Sequence, residues 1–133
     1  MSQANLDVVK KIYSAFGQGD LPTVVKNCTP QATWFISGPP SIPYSGHHCQ
    51  QQGIERCLYL IVRSLEIQEF LPREFFEHDD TILVLGHERM RVKSTGCSFE
   101  TDWVHVWKLL DGRVHEFREL WDSAAVARAF TKI

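Results

Sequence analysis

The stretch WVHVWKLLDGRVHEFRELWD, residues 103–122, decides the fold of this chain of 133 residues. Two segments in which apolar and polar residues alternate flank the pair Asp111-Gly112. Alternation with a period of two predicts β-strands, and an Asp-Gly pair between two such segments predicts a two-residue type I′ hairpin turn. We therefore predict antiparallel strands over residues 99–110 and 114–121.

The turn also predicts how these two strands pair, because a two-residue loop leaves little freedom of register. Residues 110 and 113 then form the first pair, and His105 faces Arg118. Side chains alternate along a strand, so one face of the hairpin is predicted to carry Trp103, His105, Trp107, Glu116, Arg118, Leu120 and Asp122. The opposite face is predicted to carry Val104, Val106, Phe117, Glu119 and Trp121. The first face combines apolar walls with a few polar groups, which is typical of a ligand pocket.

The rest of the chain divides into helices followed by strands. Apolar residues recur at helical spacing and predict helices over residues 4–16, 20–28 and 54–65. Enrichment in β-branched and aromatic residues predicts further strands over residues 32–37, 67–76 and 81–92, and a short helix follows residue 122. This order predicts an α+β fold in a single domain, residues 1–133: a strongly curved antiparallel sheet with the N-terminal helices packed on its concave face.

Composition limits the possible functions. Apolar residues make up 44% of the chain, charged residues 23%, and the net charge is −2, so bulk charge gives no support to nucleic-acid or anionic-membrane binding. No apolar run approaches the roughly 20 residues that span a bilayer, and the N-terminal residues lack the pattern of a signal peptide, so we expect a cytoplasmic protein. Adjacent residues such as His47, His48 and Cys49 do not have zinc-ligand spacing, so we expect neither a metal nor a cofactor.

Four segments in this order resemble the SnoaL-like branch of the nuclear transport factor 2-like superfamily: YSAFGQGDLPTVV, ATWFISG, LGHERMRVKSTG and WVHVWKLLDGRVHEFRELWDSAA. Ketosteroid isomerase, limonene epoxide hydrolase, scytalone dehydratase and polyketide cyclases are members. The resemblance implies a conical α+β barrel that usually forms a homodimer through its sheet. It implies less about the reaction, because one fold carries many activities.

The residues of ketosteroid isomerase are only partly matched. Its general-base aspartate would fall near Ile36 and its oxyanion-binding aspartic acid near Val104, and neither position holds a carboxylate. Its catalytic tyrosine would fall on Ile12, or on Tyr13 if one gap is allowed. Steroid isomerisation by that mechanism is therefore not expected.

Two other branches match differently. The Arg-x-Asp motif of limonene epoxide hydrolase keeps its arginine as Arg89, but Arg91 replaces the aspartate, so epoxide hydrolysis is not expected. In SnoaL-like polyketide cyclases an aspartate at the end of the last strand acts as acid/base, and a histidine lies on the preceding strand. These two residues correspond to Asp122 and His105, which the predicted hairpin register also places on one face.

Each candidate has a functional and a structural interpretation. Asp122 is either a general acid/base with a pKa raised by burial or the N-cap of the last helix. His105 is either a proton partner for a ligand oxygen or a core histidine held by Arg118, Asp122 or a backbone carbonyl. Arg89 either binds a ligand carboxylate or enolate or pairs with an acidic residue: Glu88, Glu100 or Asp102. Trp103, Tyr13 and Phe16 either form the walls of a ligand site or belong to the core.

The favoured hypothesis is an enzyme of the isomerase, cyclase or dehydratase type that acts on a small, apolar carbonyl compound. Asp122 and His105 are its predicted catalytic residues, and its predicted ligand-binding residues are Arg89, Trp103, Tyr13, Phe16, Arg118 and Leu120. Replacing Asp122 by Asn is then expected to abolish turnover. The alternative is a carrier of hydrophobic ligands or a dimeric interaction module. An apolar stripe on the opposite face of the sheet predicts the homodimer surface: Val104, Val106, Phe117 and Trp121.

Overall fold

The computed structural model describes residues 2–131. The elements in chain order are α1 (Ser2–Gly17), α2 (Leu21–Lys26), β1 (Cys28–Ile36), β2 (Gly46–Cys49), α3 (Gln50–Ser64), β3 (Leu65–His78), β4 (Thr81–Val92), β5 (Ser98–Leu110), β6 (Arg113–Trp121) and α4 (Ser123–Phe130). No helix within this part of the chain is long and apolar enough to cross a membrane.

Six strands form one sheet in the order β2-β1-β6-β5-β4-β3. All neighbouring strands are antiparallel except β1 and β6, which run parallel. The predicted α+β fold is confirmed, but the prediction of a wholly antiparallel sheet is corrected by this one parallel pair. Parallel neighbours require a long connection, which here contains α3 and the β3–β5 meander, and the sheet does not close on itself.

The helices cover the concave face of the sheet through apolar stripes. Helix α1 buries Val9 and Ile12, which are three residues apart and lie on one face of the helix. Helix α3 buries Ile54 and Leu58 at the same kind of spacing. These side chains meet the inward residues of the strands in one continuous core.

The β5–β6 hairpin has the predicted turn but not the predicted register. Asp111 and Gly112 both have positive φ, as a type I′ turn requires, and Leu110 pairs with Arg113. One step further the ladder contains a β-bulge on β6 at His115, because Leu109 pairs with Val114 whereas Lys108 pairs with Glu116. A bulge adds one residue and so inverts the face on which every later side chain lies.

The bulge decides which residues of β6 enter the core. Phe117 and Glu119 point inward and are buried, and Trp121 is partly buried, whereas Arg118 and Leu120 are exposed on the outer face. The predicted register would have buried the guanidinium of Arg118, at a high desolvation cost, and would have exposed two large aromatic rings.

The predicted dimer surface is corrected by the same shift. Phe117 and Trp121 belong to the inner face, so only Val104 and Val106 of the predicted stripe lie on the outer face, both partly buried. Leu120 joins them there with 43% of its surface exposed. A homodimer through this face stays a prediction.

The segment between β1 and α3 contains a short strand. Residues 46–49 form strand β2, which pairs with β1. In this pair, His48 of β2 lies opposite Trp34 of β1. His47 and His48 are consecutive strand residues, so their side chains point to opposite faces of the sheet. The ring of His47 lies against Phe35, and His48 Nε2 lies 2.8 Å from the carbonyl oxygen of Tyr44.

Gly86 provides a test of the packing between strands β4 and β5. It pairs with Trp103 across the β4–β5 ladder, and the indole of Trp103 covers its backbone so closely that a Cβ would overlap the ring. We expect Gly86→Ala to lower the free energy of unfolding by about 1–3 kcal/mol, the usual range for overpacking. Urea denaturation followed by circular dichroism measures this.

The matched control is Gly17→Ala at the end of α1, where an added Cβ meets no atom within 4 Å. We expect this variant to stay within about 0.5 kcal/mol of the wild type. Equal stabilities for the two variants would contradict the packing of Trp103 against the backbone of residue 86.

Candidate functional site

A pocket of about 70 Å³ lies between the concave face of the sheet and helices α1 and α3. Its walls are mainly aromatic and aliphatic, and they include Phe16, Trp34, Leu58 and Phe117. Its polar groups are the side chains of Tyr13, Tyr44, Glu88, His105 and Glu119, together with the indoles of Trp34, Trp107 and Trp121. An apolar concavity with a few convergent polar groups is the usual form of a small-molecule site.

Three of these polar side chains form a hydrogen-bonded chain. Nε2 of His105 lies 2.8 Å from Oε2 of Glu119, and Nδ1 of His105 lies 2.8 Å from the hydroxyl oxygen of Tyr13. The indole N–H of Trp107 also donates to that hydroxyl, at 3.0 Å. His105 and Glu119 are both almost fully buried, at 5% and 7% exposure.

The fold explains why these residues meet. His105 and Glu119 are direct cross-strand partners on β5 and β6, a pairing that exists only because of the bulge at His115. Directly opposite residues have Cβ atoms about 5 Å apart, within reach of a hydrogen bond between their side chains. Tyr13 reaches them from α1, one turn after Val9 on the buried stripe of that helix.

Burial sets the charge state of the pair. It raises the pKa of Glu119 to about 8, because no water solvates the carboxylate form. The same desolvation holds the pKa of His105 well below its ordinary value. Glu119 is therefore protonated below about pH 8, and His105 is neutral above its lowered pKa. Near neutral pH the short contact is a hydrogen bond between an acid and an imidazole.

Two neutral arrangements satisfy the chain, because a protonated carboxyl has both an O–H donor and a carbonyl acceptor. In the first, Glu119 donates to Nε2 of His105, and the ring proton on Nδ1 is donated to the hydroxyl oxygen of Tyr13; in the second, Tyr13 donates to Nδ1 and Nε2 donates to Glu119. Trp107 donates to the Tyr13 oxygen in both. Within residues 2–131 the hydroxyl proton of Tyr13 has no acceptor in the first arrangement, so there it is available to a ligand in the pocket.

Two further polar side chains of the pocket belong to other elements. Glu88 on β4 is 3% exposed, and burial together with the nearby carboxyl of Glu119 raises its pKa well above the ordinary value. Tyr44, in the segment between β1 and β2, is 1% exposed. Burial and the two acidic side chains raise its pKa as well.

An aromatic cluster holds the imidazole in place. The indole of Trp103 stacks on the His105 ring, with centroids 3.8 Å apart and planes at 13°. The ring of Phe117 meets the imidazole edge-on at 4.8 Å. Trp103 is 2% exposed but is absent from the pocket wall, so it supports the site from behind and does not face a ligand.

The structure places the predicted catalytic pair in different surroundings. His105 lines the pocket, and its partner is Glu119, not Arg118, Asp122 or a backbone carbonyl. Asp122 is exposed, lies outside the pocket wall and caps α4, with its carboxylate accepting from the backbone N–H of Ala125 at 3.1 Å. The prediction that Asp122 shares the pocket face with His105 is wrong, because the bulge turns that side of β6 outward.

The predicted ligand-binding residues also separate into two groups. Tyr13 and Phe16 line the pocket as predicted. Arg118 and Leu120 do not, since both are on the outer face, where the guanidinium of Arg118 lies 5.8 Å from the Phe35 ring centroid. Arg89 is exposed, and its Nη1 lies 3.8 Å from the carboxylate of Glu69, so the structure favours an ion pair, although with a different acid from those predicted.

Three pocket-lining residues were not predicted as site residues: Glu119, Glu88 and Tyr44. A signal for the two glutamates exists in the alternation of their strands. Glu119 lies between Phe117 and Trp121 at two-residue spacing, and Glu88 interrupts the inward series Ile82, Val84, Gly86, Met90 and Val92. A carboxyl group within an apolar series is buried together with that series. Tyr44 lies in a proline-rich loop with no periodicity, and no comparable signal existed for it.

No model of a protein family matches the sequence, and no curated protein does either. Solved structures do match. An NTF2-like protein from Burkholderia xenovorans LB400 is 31% identical, with 98% of each chain covered and a TM-score of 0.90. An NTF2-like protein of unknown function from Burkholderia pseudomallei K96243 is 30% identical, with 98% of this chain and 99% of that chain covered and a TM-score of 0.86.

More distant structures share the fold. TerC, crystallised with polyporic acid, is 22% identical over 96% of this chain and 98% of its own, with a TM-score of 0.85. Other matches, at 13–16% identity, include proteins named as isomerases and as a SnoaL-like polyketide cyclase. At such identities the comparison concerns the fold alone.

The raised pKa of Glu119 predicts how the free energy of unfolding changes with pH. The folded state holds the Glu119 proton up to about pH 8, whereas an unfolded chain releases it near pH 4.3. The stabilisation is therefore complete below about pH 4 and is lost as the pH rises to about 8. Glu119→Gln does not titrate, so its free energy of unfolding relative to wild type should rise between about pH 5 and about pH 9.

Urea denaturation at several pH values measures this difference. Glu116→Gln, three residues earlier on the same strand, is the matched control, because Glu116 faces outward. A difference between wild type and Glu119→Gln that stays constant with pH would contradict a neutral Glu119.

Proposed function

The chain belongs to the NTF2-like family, and we propose that it is an enzyme that moves a proton to or from an oxygen atom of a small, mostly apolar carbonyl compound. The observation that carries the proposal is the hydrogen-bonded chain of Glu119, His105 and Tyr13, which ends at a side chain that lines the pocket. In this proposal the ring proton of His105 is on Nδ1, which leaves the hydroxyl proton of Tyr13 free for a ligand. Such a chain is a general acid whose proton source is kept away from water.

The proton transfer balances within these three residues. Tyr13 gives its hydroxyl proton to the ligand oxygen and receives the Nδ1 proton of His105. His105 in turn receives the Glu119 proton at Nε2, which leaves Glu119 as a carboxylate and the other two residues neutral. The reverse sequence removes a proton from a ligand hydroxyl and returns it to Glu119.

This transfer suits reactions in which a carbonyl oxygen gains a proton. A protonated carbonyl makes the neighbouring C–H bond acidic, so the Glu119 carboxylate, which also lines the pocket, takes that proton. The ketone becomes an enol, and Glu119 regains the proton that it gave up. Isomerisation by enolisation, cyclisation through an enol and loss of a protonated hydroxyl group all begin in this way. The names isomerase and polyketide cyclase among structures of this fold support the same group of reactions.

The apolar wall supports the proposal in two ways. Aromatic and aliphatic side chains favour a substrate whose carbon skeleton is apolar. They also exclude bulk water, which strengthens the hydrogen bond from Tyr13 to a developing charge on the substrate oxygen. Glu119 takes the acid/base role that the sequence assigned to Asp122, whose carboxylate is exposed and caps α4.

The test uses 1-phenylpropan-2-one, a small aromatic ketone with acidic benzylic hydrogens. Proton NMR in D₂O measures their exchange with and without protein. We expect wild-type protein to accelerate the exchange and the acceleration to decrease as the pH rises above about 8, where Glu119 loses its proton. Tyr13→Phe and Glu119→Gln should each reduce the acceleration by roughly 10²-fold or more, the usual size of a general-acid contribution.

Asp122→Asn is the control, because asparagine is an equally good N-cap and the residue lies outside the pocket wall. We expect this variant to keep the wild-type exchange rate. Binding of the ketone without any acceleration would overturn the enzyme proposal and favour a ligand carrier. Loss of exchange in Asp122→Asn alone would restore Asp122 as the acid/base residue.

A further inference from the structure

We infer that Tyr44 and Glu88 form a second hydrogen-bonding subsite of the pocket, which binds a second, uncharged oxygen of the ligand. The substrate is then an apolar compound with two oxygen functions: the carbonyl that meets Tyr13 and a hydroxyl or further carbonyl that meets Tyr44 and Glu88. This inference rests on the proposed function and adds the class of substrate to it.

Tyr44 carries a hydroxyl group that the protein leaves unsatisfied. The residue is 1% exposed, and the hydroxyl oxygen has no hydrogen-bond partner among the described residues. A buried polar group without a partner costs about 1–3 kcal/mol, so native proteins contain few of them. Because Tyr44 lines the pocket, a ligand oxygen there would satisfy the hydroxyl.

Glu88 provides the second group of the subsite. Its side chain lines the same pocket, and no hydrogen bond or ion pair within residues 2–131 involves its carboxyl group. The outward-facing His87 next to it is occupied by Glu100 and Asp102, at 2.7 Å each. A buried carboxyl close to Glu119 stays protonated, so it offers an O–H donor and a carbonyl acceptor.

The subsite lies toward the α4 end of the pocket, near Glu119 and further from Tyr13. Along β4, Val84 pairs with His105, whereas Glu88 is four residues further on and pairs with Thr101; four residues of strand span about 13 Å. The backbone N–H of Asp122 donates to the hydroxyl of Thr101, which places this end of the pocket next to α4. Tyr44 is at the same end, since its ring lies 5.9 Å from that of Phe130 in α4.

The chemistry of the two groups selects the ligand function. The Tyr44 hydroxyl can donate to an oxygen, and the neutral Glu88 carboxyl can donate to it or accept from it. A hydroxyl or carbonyl oxygen satisfies both groups. A ligand carboxylate is disfavoured, because a buried negative charge next to Glu88 and Glu119 would have no cation among the pocket-lining residues to neutralise it.

The test compares 1-phenylpropan-2-one with three derivatives that carry one hydroxyl group on the ring: the 2-, 3- and 4-hydroxyphenyl isomers. Isothermal titration calorimetry measures the dissociation constant of each compound. We expect at least one hydroxy isomer to bind wild-type protein roughly 5- to 100-fold more tightly than the parent ketone, the range for one buried hydrogen bond. Tyr44→Phe should remove that preference, so that the hydroxy isomers bind this variant no more tightly than the parent ketone does.

Tyr59→Phe is the matched control, because it removes the hydroxyl of a tyrosine on α3 that is 57% exposed. Equal affinities for the parent and all three isomers would overturn the subsite, and so would a preference that survives in Tyr44→Phe. In either case, acceleration of exchange with the parent ketone would leave the proposed function intact. Failure of all four compounds to bind would overturn both proposals.

Discussion

The structure depends on the hydrogen bond between His105 and Glu119 inside an apolar cone. Two ionisable side chains without water cost least when both are neutral and each satisfies the other. The 2.8 Å contact between His105 Nε2 and Glu119 Oε2 meets this condition, and Tyr13 satisfies the second ring nitrogen. The condition that keeps the core stable therefore also leaves a proton on Glu119, and with the ring proton of His105 on Nδ1 it frees the hydroxyl proton of Tyr13.

The surrounding packing maintains this arrangement. Trp103 can stack flat on the His105 ring because Gly86 leaves room for the indole over the backbone of β4. Phe117 closes one edge of the imidazole, and the bulge at His115 brings Phe117 and Glu119 to the same face. Stability and the proposed chemistry thus depend on the same side chains, so mutations that loosen the cluster should affect both.

Much of the fold could be predicted from local sequence. The Asp111-Gly112 turn, the apolar stripes of α1 and α3 and the alternation in β4 each follow from short-range chemistry, and the structure contains all of them. The bulge at His115 could not be predicted, because a two-residue turn determines only the first pair of the ladder. The error had large consequences, since one residue of register exchanges the inner and outer faces.

Some of the residues that line the pocket could be predicted from the sequence. His105 and Tyr13 face the pocket. The resemblance to known enzymes matched His105 directly and Tyr13 only if one gap is allowed. Asp122 lies outside the pocket, and its carboxylate caps a helix, which is the structural interpretation that the sequence left open. Tyr44 could not be found from the sequence, because its burial depends on how a proline-rich loop folds over the end of the cone.

The position of the proton on the His105 ring tests this account most directly. Nitrogen-15 NMR of histidine-labelled protein distinguishes a protonated from an unprotonated ring nitrogen, and His105→Gln assigns the signals. At about pH 6.5 we predict a neutral ring with the proton on Nδ1, and above about pH 8.5, where Glu119 is ionised, a neutral ring with the proton on Nε2. At about pH 6.5, a proton on both nitrogens would contradict a neutral pair, and a proton on Nε2 alone would contradict the free Tyr13 hydroxyl.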